Sequence, residues 1–67
     1  MLKIGTRVKI DMNGYYGYQA VDSGYGIGRI TRLPDIGDNY YSVQFPNGYK
    51  NYYRIEDLII LSVNNEA

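Results

Sequence analysis

The sequence predicts an all-β fold, a small five-stranded barrel with a long first loop and one short helical turn before the last strand. Three observations carry this. Thr6 to Asp11 alternates, with Val8 and Ile10 on one side and Arg7, Lys9 and Asp11 on the other, which is the period of a half-buried strand. Tyr40 to Tyr53 reads as a β-hairpin about the turn Pro46-Asn47-Gly48. Nowhere does an amphipathic helical period or an internal repeat appear.

Taken in order, Met1 to Gly5 is a lead-in to the first strand. Met12 to Gly24 then runs for thirteen residues without a strand pattern, with Gly14, Gly17 and Gly24 punctuating Tyr15, Tyr16 and Tyr18. Connections of that length in a compact domain are more often functional than idle. Tyr25 to Leu33 is the second strand, with Ile30 as its core residue and with Gly26 and Gly28 allowing a bend or a close backbone approach. Pro34 to Asn39 is a polar turn.

The hairpin fixes its own register. Pro46 and Asn47 suit the centre of a type I turn, and Gly48 suits the positive-φ bulge that follows in a three-residue loop. Phe45 then faces Tyr49, Val43 faces Asn51 and Tyr41 faces Tyr53 on an apolar side, while Gln44 faces Lys50 and Ser42 faces Tyr52 on a wet one. A one-residue slip would mix the two sides, which a half-buried strand resists. Arg54 to Asp57 suits a single helical turn, Leu58 to Leu61 a closing strand, and residues 63–67 a fraying tail after a single domain of residues 1–62. Five short strands in this order describe an SH3-like barrel, whose closure leaves no free edge. A five-stranded sheet covered by a second copy fits the same string, so both a monomer and a homodimer accord with it.

Composition narrows the chemistry. A chain of 67 residues buries only roughly 60% of its unfolded surface. Neither Cys nor His is present, which excludes disulfides, thiolate chemistry and the usual zinc sites; no metal and no cofactor is expected. Ser23, Ser42 and Ser62 have no His to activate them, and no carboxylate pair stands in an acid/base context, so the expectation is not an enzyme. Gly24-x-Gly26-x-Gly28 lacks the spacing and the following helix of a dinucleotide fingerprint.

Lys plus Arg and Asp plus Glu each total 7, so no net charge draws the chain to nucleic acid or membrane. Residues 1–33 nevertheless carry five basic and two acidic side chains, and residues 34–67 two basic and five acidic. No apolar run approaches a membrane span or a signal-peptide core, and the reading is cytoplasmic. Richness in Ile, Asn and Tyr with few Ala suggests AT-rich coding and suits a phage-type accessory protein.

The excess of Tyr is the sharpest functional signal. Nine Tyr in a chain this small cannot all enter the core, since each buried hydroxyl needs a partner. The doublets Tyr40-Tyr41 and Tyr52-Tyr53 each turn one ring outward, by the register Tyr40 and Tyr52, and Tyr15, Tyr16 and Tyr18 add rings from the long loop. Clustered exposed Tyr favours a protein-binding face. Arg29 and Arg32 with stacked Tyr give the alternative, a nucleic-acid-binding barrel.

Several stretches resemble a known family. Gly5-x-Arg7-Val8, Tyr25-Gly26-Ile27-Gly28-x-Ile30, Val43-x-Phe45-x-x-Gly48-x-Lys50 and Asp57-Leu58-x-x-Leu61, together spanning nearly the whole chain, resemble the Tudor-like domain at the C-terminus of UvrD/PcrA-type helicases. That resemblance implies a module that docks on a larger protein such as RNA polymerase, some members also touching nucleic acid. The loop before Tyr25 is longer here, and these 67 residues hold no helicase motor. Around Phe45, Tyr49 and Asn51 the chain is also similar to Tudor domains proper, which implies an aromatic cage for a methylated residue with Tyr25 as the counterpart from the second strand. The expectation is a non-catalytic docking module that binds and modulates a polymerase, helicase or nuclease.

Overall fold

A computed structural model of the chain describes residues 2–24 and 26–62. Among these the fold is all-β: five antiparallel strands, β1 (Arg7–Ile10), β2 (Gly28–Arg32), β3 (Tyr41–Gln44), β4 (Lys50–Tyr53) and β5 (Leu58–Ser62), and two 3-10 turns, Gly17–Ala20 and Ile55–Asp57. The strands form one sheet in the order β4-β3-β2-β1-β5. The sheet is open, with β4 and β5 as its edges, so the closed barrel expected from the sequence is not formed by its ladders.

The hairpin stands in the register that its turn dictates. Tyr41 is opposite Tyr53, Ser42 opposite Tyr52, Val43 opposite Asn51 and Gln44 opposite Lys50. Beyond them the Phe45 N–H donates to the Tyr49 carbonyl at 2.8 Å and the Gly48 N–H to the Phe45 carbonyl at 2.9 Å, which closes the three-residue loop. Gly48 takes φ +91°, the left-handed region that the bulge requires. The Asn47 side chain accepts the Tyr49 N–H at 3.0 Å and donates to the Asp22 carbonyl at 3.0 Å, tying the turn to the long loop.

Alternation places one apolar side chain per strand step on the inner face. Val8 and Ile10 of β1, Ile30 of β2, Val43 of β3, Tyr53 of β4 and Leu58 of β5 are buried there together with Phe45 and Leu2. Gly28 is part of this packing: a Cβ on it would lie 2.6 Å from a Val43 methyl and 2.7 Å from the Phe45 ring, so its bare backbone makes the room these two occupy. β2 is shorter than the nine residues expected, spanning Gly28–Arg32, and within it the pairing with β3 shifts between Ile30 and Arg32, leaving Thr31 unpaired and returning Arg32 to the outer face.

Two further expectations are corrected. Ser42 belongs to the outer, wet side, yet it is buried, flanked in the register by the longer side chains of Arg32 and Tyr52. The apolar run forms β5 as expected, but Ile59, Ile60 and Leu61 are exposed on an edge rather than enclosed. The helical turn before β5 is a 3-10 turn held by Asp57, whose carboxylate accepts the Arg54 N–H at 3.1 Å. The tail at 63–67 lies outside the described residues.

Nothing stands within 4 Å of the place where a Cβ on Gly48 would go, so substitution there tests backbone conformation alone. Gly48→Ala is expected to lower the unfolding free energy by about 1 to 2 kcal/mol, measured by urea titration. A loss below a few tenths would contradict the bulge.

Candidate functional site

What covers the inner face is the loop between β1 and β2. Its path begins with Asp11, whose carboxylate accepts the Asn13 N–H at 2.9 Å while its carbonyl accepts the Gly14 N–H at 3.0 Å. The first 3-10 turn follows and buries Gln19 and Ala20. The buried Ser23 hydroxyl donates to the Ala20 carbonyl at 2.7 Å and closes the segment.

Gln19 joins this loop to β4. Its side-chain Oε1 accepts hydrogen bonds from the Tyr53 hydroxyl at 2.6 Å, the Tyr49 hydroxyl at 3.0 Å and the Asn51 Nδ2 at 3.3 Å, while its Nε2 donates to the Tyr18 hydroxyl at 3.2 Å. The orientation of the amide follows from its neighbours: Asn51 uses its Oδ1 to accept the Tyr52 N–H at 2.8 Å, so its NH2 faces Gln19, which must answer with oxygen. Tyr53 is fully buried, and burial first, then Tyr49, pushes its hydroxyl well above the usual tyrosine range. Nothing in the Gly- and Tyr-rich stretch singles out Gln19 by pattern. The signal that finds it is the demand of buried tyrosine hydroxyls for an uncharged acceptor.

With the inner face sealed, the remaining rings form an outer aromatic strip. Tyr16 is half-buried, standing edge-on to Tyr53 at 5.7 Å and to Tyr15 at 4.8 Å, with Tyr18 tilted at 6.3 Å. Burial, then Tyr40 and Tyr15, raises the Tyr16 hydroxyl above its ordinary value. Tyr15 and Tyr18 are 80% and 67% exposed, far more than a packing layer requires. Tyr40 is placed by its N–H, which donates to Asp38 at 3.0 Å, and by Arg54, whose Nη2 donates to the Tyr40 hydroxyl at 3.3 Å with the guanidinium carbon 5.2 Å from the ring centre. That hydrogen bond raises the Arg54 guanidinium above its usual range.

Two shallow grooves meet at Tyr40. One is lined by Arg32, Asp38, Tyr40 and Tyr52, the other by Tyr15, Tyr16, Tyr40, Arg54 and the carboxylates Glu56 and Asp57. Tyr40, 37% exposed, therefore links Tyr52, 52% exposed on the outer side of β4, to the loop rings Tyr15 and Tyr16. Arg54 was not among the residues that the sequence suggested; its neighbour Tyr40 became its ligand only through folding.

Other expected site residues fall elsewhere. The Tyr49 hydroxyl and the Asn51 Nδ2 are engaged by Gln19, the Asn51 Oδ1 by the Tyr52 N–H, and Phe45 is buried against Tyr49 at 6.0 Å, so this trio is part of the packing rather than an open cage. Tyr25 lies outside the described residues. Arg29 is exposed on the outer face, whereas Arg32 pairs with Asp35 at 3.7 Å. Among the described residues no three carboxylates converge as a cation site, and no helix is long and apolar enough to cross a membrane. No family model, curated protein or solved structure matches the chain.

The raised Tyr53 hydroxyl gives a signed pH dependence. Below about pH 10 the hydroxyl is protonated in both folded and unfolded chains and its hydrogen bond is fully present. Above that, the unfolded chain releases the proton and the folded one does not, so stability falls as pH rises toward the folded value, by at most about 1.4 kcal/mol per pH unit. Urea titrations on either side of pH 10 should show the decline in the parent and a shallower one in Tyr53→Phe. An unchanged slope would contradict the burial of this hydroxyl.

Proposed function

We propose that the chain is a non-catalytic docking module of the SH3-like, Tudor-like kind, which engages a larger protein through its aromatic strip and modulates that protein's activity. A polymerase, helicase or nuclease is the partner class, in keeping with the resemblance to the C-terminal domain of UvrD/PcrA-type helicases. The element order supports the fold half of this reading: five short strands, a long first loop, a tight hairpin between β3 and β4, and one helical turn before β5.

The observation that carries the functional half is the state of Tyr40. Its ring is shared by two adjoining grooves and held from one side by Arg54, so it is ordered before any partner arrives. Tyr16 is likewise fixed by Tyr15 and Tyr53. Docking onto rings already fixed loses little conformational entropy, which is where such surfaces gain affinity. Arg54 and the carboxylate of Glu56 supply a polar rim of both signs, the usual border of a protein interface. A ligand enters by this strip and not by Phe45, Tyr49 and Asn51, whose capacity is taken up internally.

Tyr40→Ser with Tyr52→Ser separates surface from scaffold. The double variant should melt within about 1 kcal/mol of the parent, while a partner seated on these rings should lose about 2 kcal/mol or more for each hot-spot ring. Tyr53→Ala, by contrast, should cost about 3 to 5 kcal/mol. Affinity capture with the parent and the double variant, each with and without nuclease, provides the partner for the binding measurement. Equal capture by both would contradict the strip as the docking surface.

A further inference from the structure

The neutral composition conceals a segregation of charge. Of the described residues, every charged side chain within a strand is basic, namely Arg7, Lys9, Arg29, Arg32 and Lys50, and every carboxylate lies outside the strands. Register concentrates three of them. Lys50 stands opposite Gln44, Gln44 opposite Arg29, Arg29 opposite Arg7 and Arg7 opposite Ser62, so Lys50, Arg29 and Arg7 occupy one row across the outer face. With adjacent strands about 4.8 Å apart, the row spans roughly 14 Å from Arg7 to Lys50.

Edge protection does not account for this row, because Arg7 and Arg29 lie on β1 and β2, interior strands of the sheet. Two guanidinium groups directly opposite one another also repel, which costs the fold stability unless an anion sits between them. Among the described residues neither is ion-paired: Arg7 donates its Nε to the Ser62 hydroxyl at 3.1 Å, and the ion pair on this side belongs to Arg32 with Asp35. Beside the row runs a groove lined by Ile27, Arg29, Thr31, Gln44, Phe45 and Pro46, which offers apolar walls next to a cation and an amide.

We propose that the outer face of the sheet binds single-stranded nucleic acid, with successive phosphates on Arg7, Arg29 and Lys50 and an unstacked base in the groove beside Arg29. Charge complementarity selects the polyanion, and the groove selects the single strand, since a duplex offers no unstacked base for its apolar walls. The row adjoins the aromatic strip at β4, where Tyr52 follows Lys50 by two residues on the same side, but Arg7, Arg29 and Lys50 line neither of the strip's grooves.

Fluorescence anisotropy of a labelled oligothymidylate of about 15 nucleotides tests this, titrated over a range of salt. Three phosphate contacts on a single strand predict a log–log salt slope of about −2, and Arg29→Gln with Lys50→Gln should reduce it to about −0.7. Lys3→Gln, exposed and outside the strands, should leave it unchanged. A melt by circular dichroism checks that the variants fold; should the double variant not fold, the parent's salt slope and its preference for single strand over a duplex of the same length still decide. Absence of binding at low salt, a slope unaltered in a folded double variant, or equal affinity for the duplex would each overturn the proposal.

Discussion

One buried carbonyl oxygen holds the two halves of this fold together. The Oε1 of Gln19 receives the hydroxyls of Tyr53 and Tyr49 and the amide of Asn51, and through them the loop between β1 and β2 is fastened across the inner face to β4. An open five-stranded sheet exposes its apolar side unless something lies over it. Here a loop with one 3-10 turn does so, burying Ala20 and seating Tyr16 against Tyr53. Because an amide oxygen has two lone pairs, three donors exceed what it can accept at full strength, and the contact at 3.3 Å to Asn51 is the long one.

The same bond divides the tyrosines by task. Tyr53 and Tyr49 bring hydroxyls into or beside the core and find an acceptor waiting, so their rings contribute apolar area without an unmatched polar group. Once Tyr16 and Gln19 have closed the inner face, Tyr15, Tyr18, Tyr40 and Tyr52 have no place inside and remain on the surface. The outer face receives the basic residues of β1, β2 and β4 together with Tyr52, since the positions alternating with the core residues point that way.

How much of this was legible depends on the range of the interaction responsible. The hairpin register was readable because Pro46, Asn47 and Gly48 decide it locally, and it in turn assigned Tyr53 inward and Tyr40 and Tyr52 outward. Val8, Ile10 and Ile30 followed from period-two alternation. The role of Gln19 was not readable, since its acceptors' partners lie 30 to 34 residues away and no local pattern announces them. Tyr49 therefore looked free to bind a ligand when it is already bonded. The exposed Ile59 to Leu61 misled because a continuous apolar run signals burial only where both faces of the sheet are covered, and on the edge strand β5 Ile59, Ile60 and Leu61 stay open.

The Gln19 bond to Tyr53 is the claim on which the cover over the core, the partition of the tyrosines and the position of the aromatic strip all rest. A double-mutant cycle measures it directly, with Gln19→Leu, Tyr53→Phe and both together compared by urea unfolding at neutral pH. Coupled hydroxyl and carbonyl groups predict that the double variant is more stable than the sum of the single losses implies, by about 1 to 2 kcal/mol, because Gln19→Leu alone strands a buried hydroxyl and the pair does not. Losses that add to within about 0.5 kcal/mol would mean the two groups do not interact, and that the loop is held over the sheet by something else.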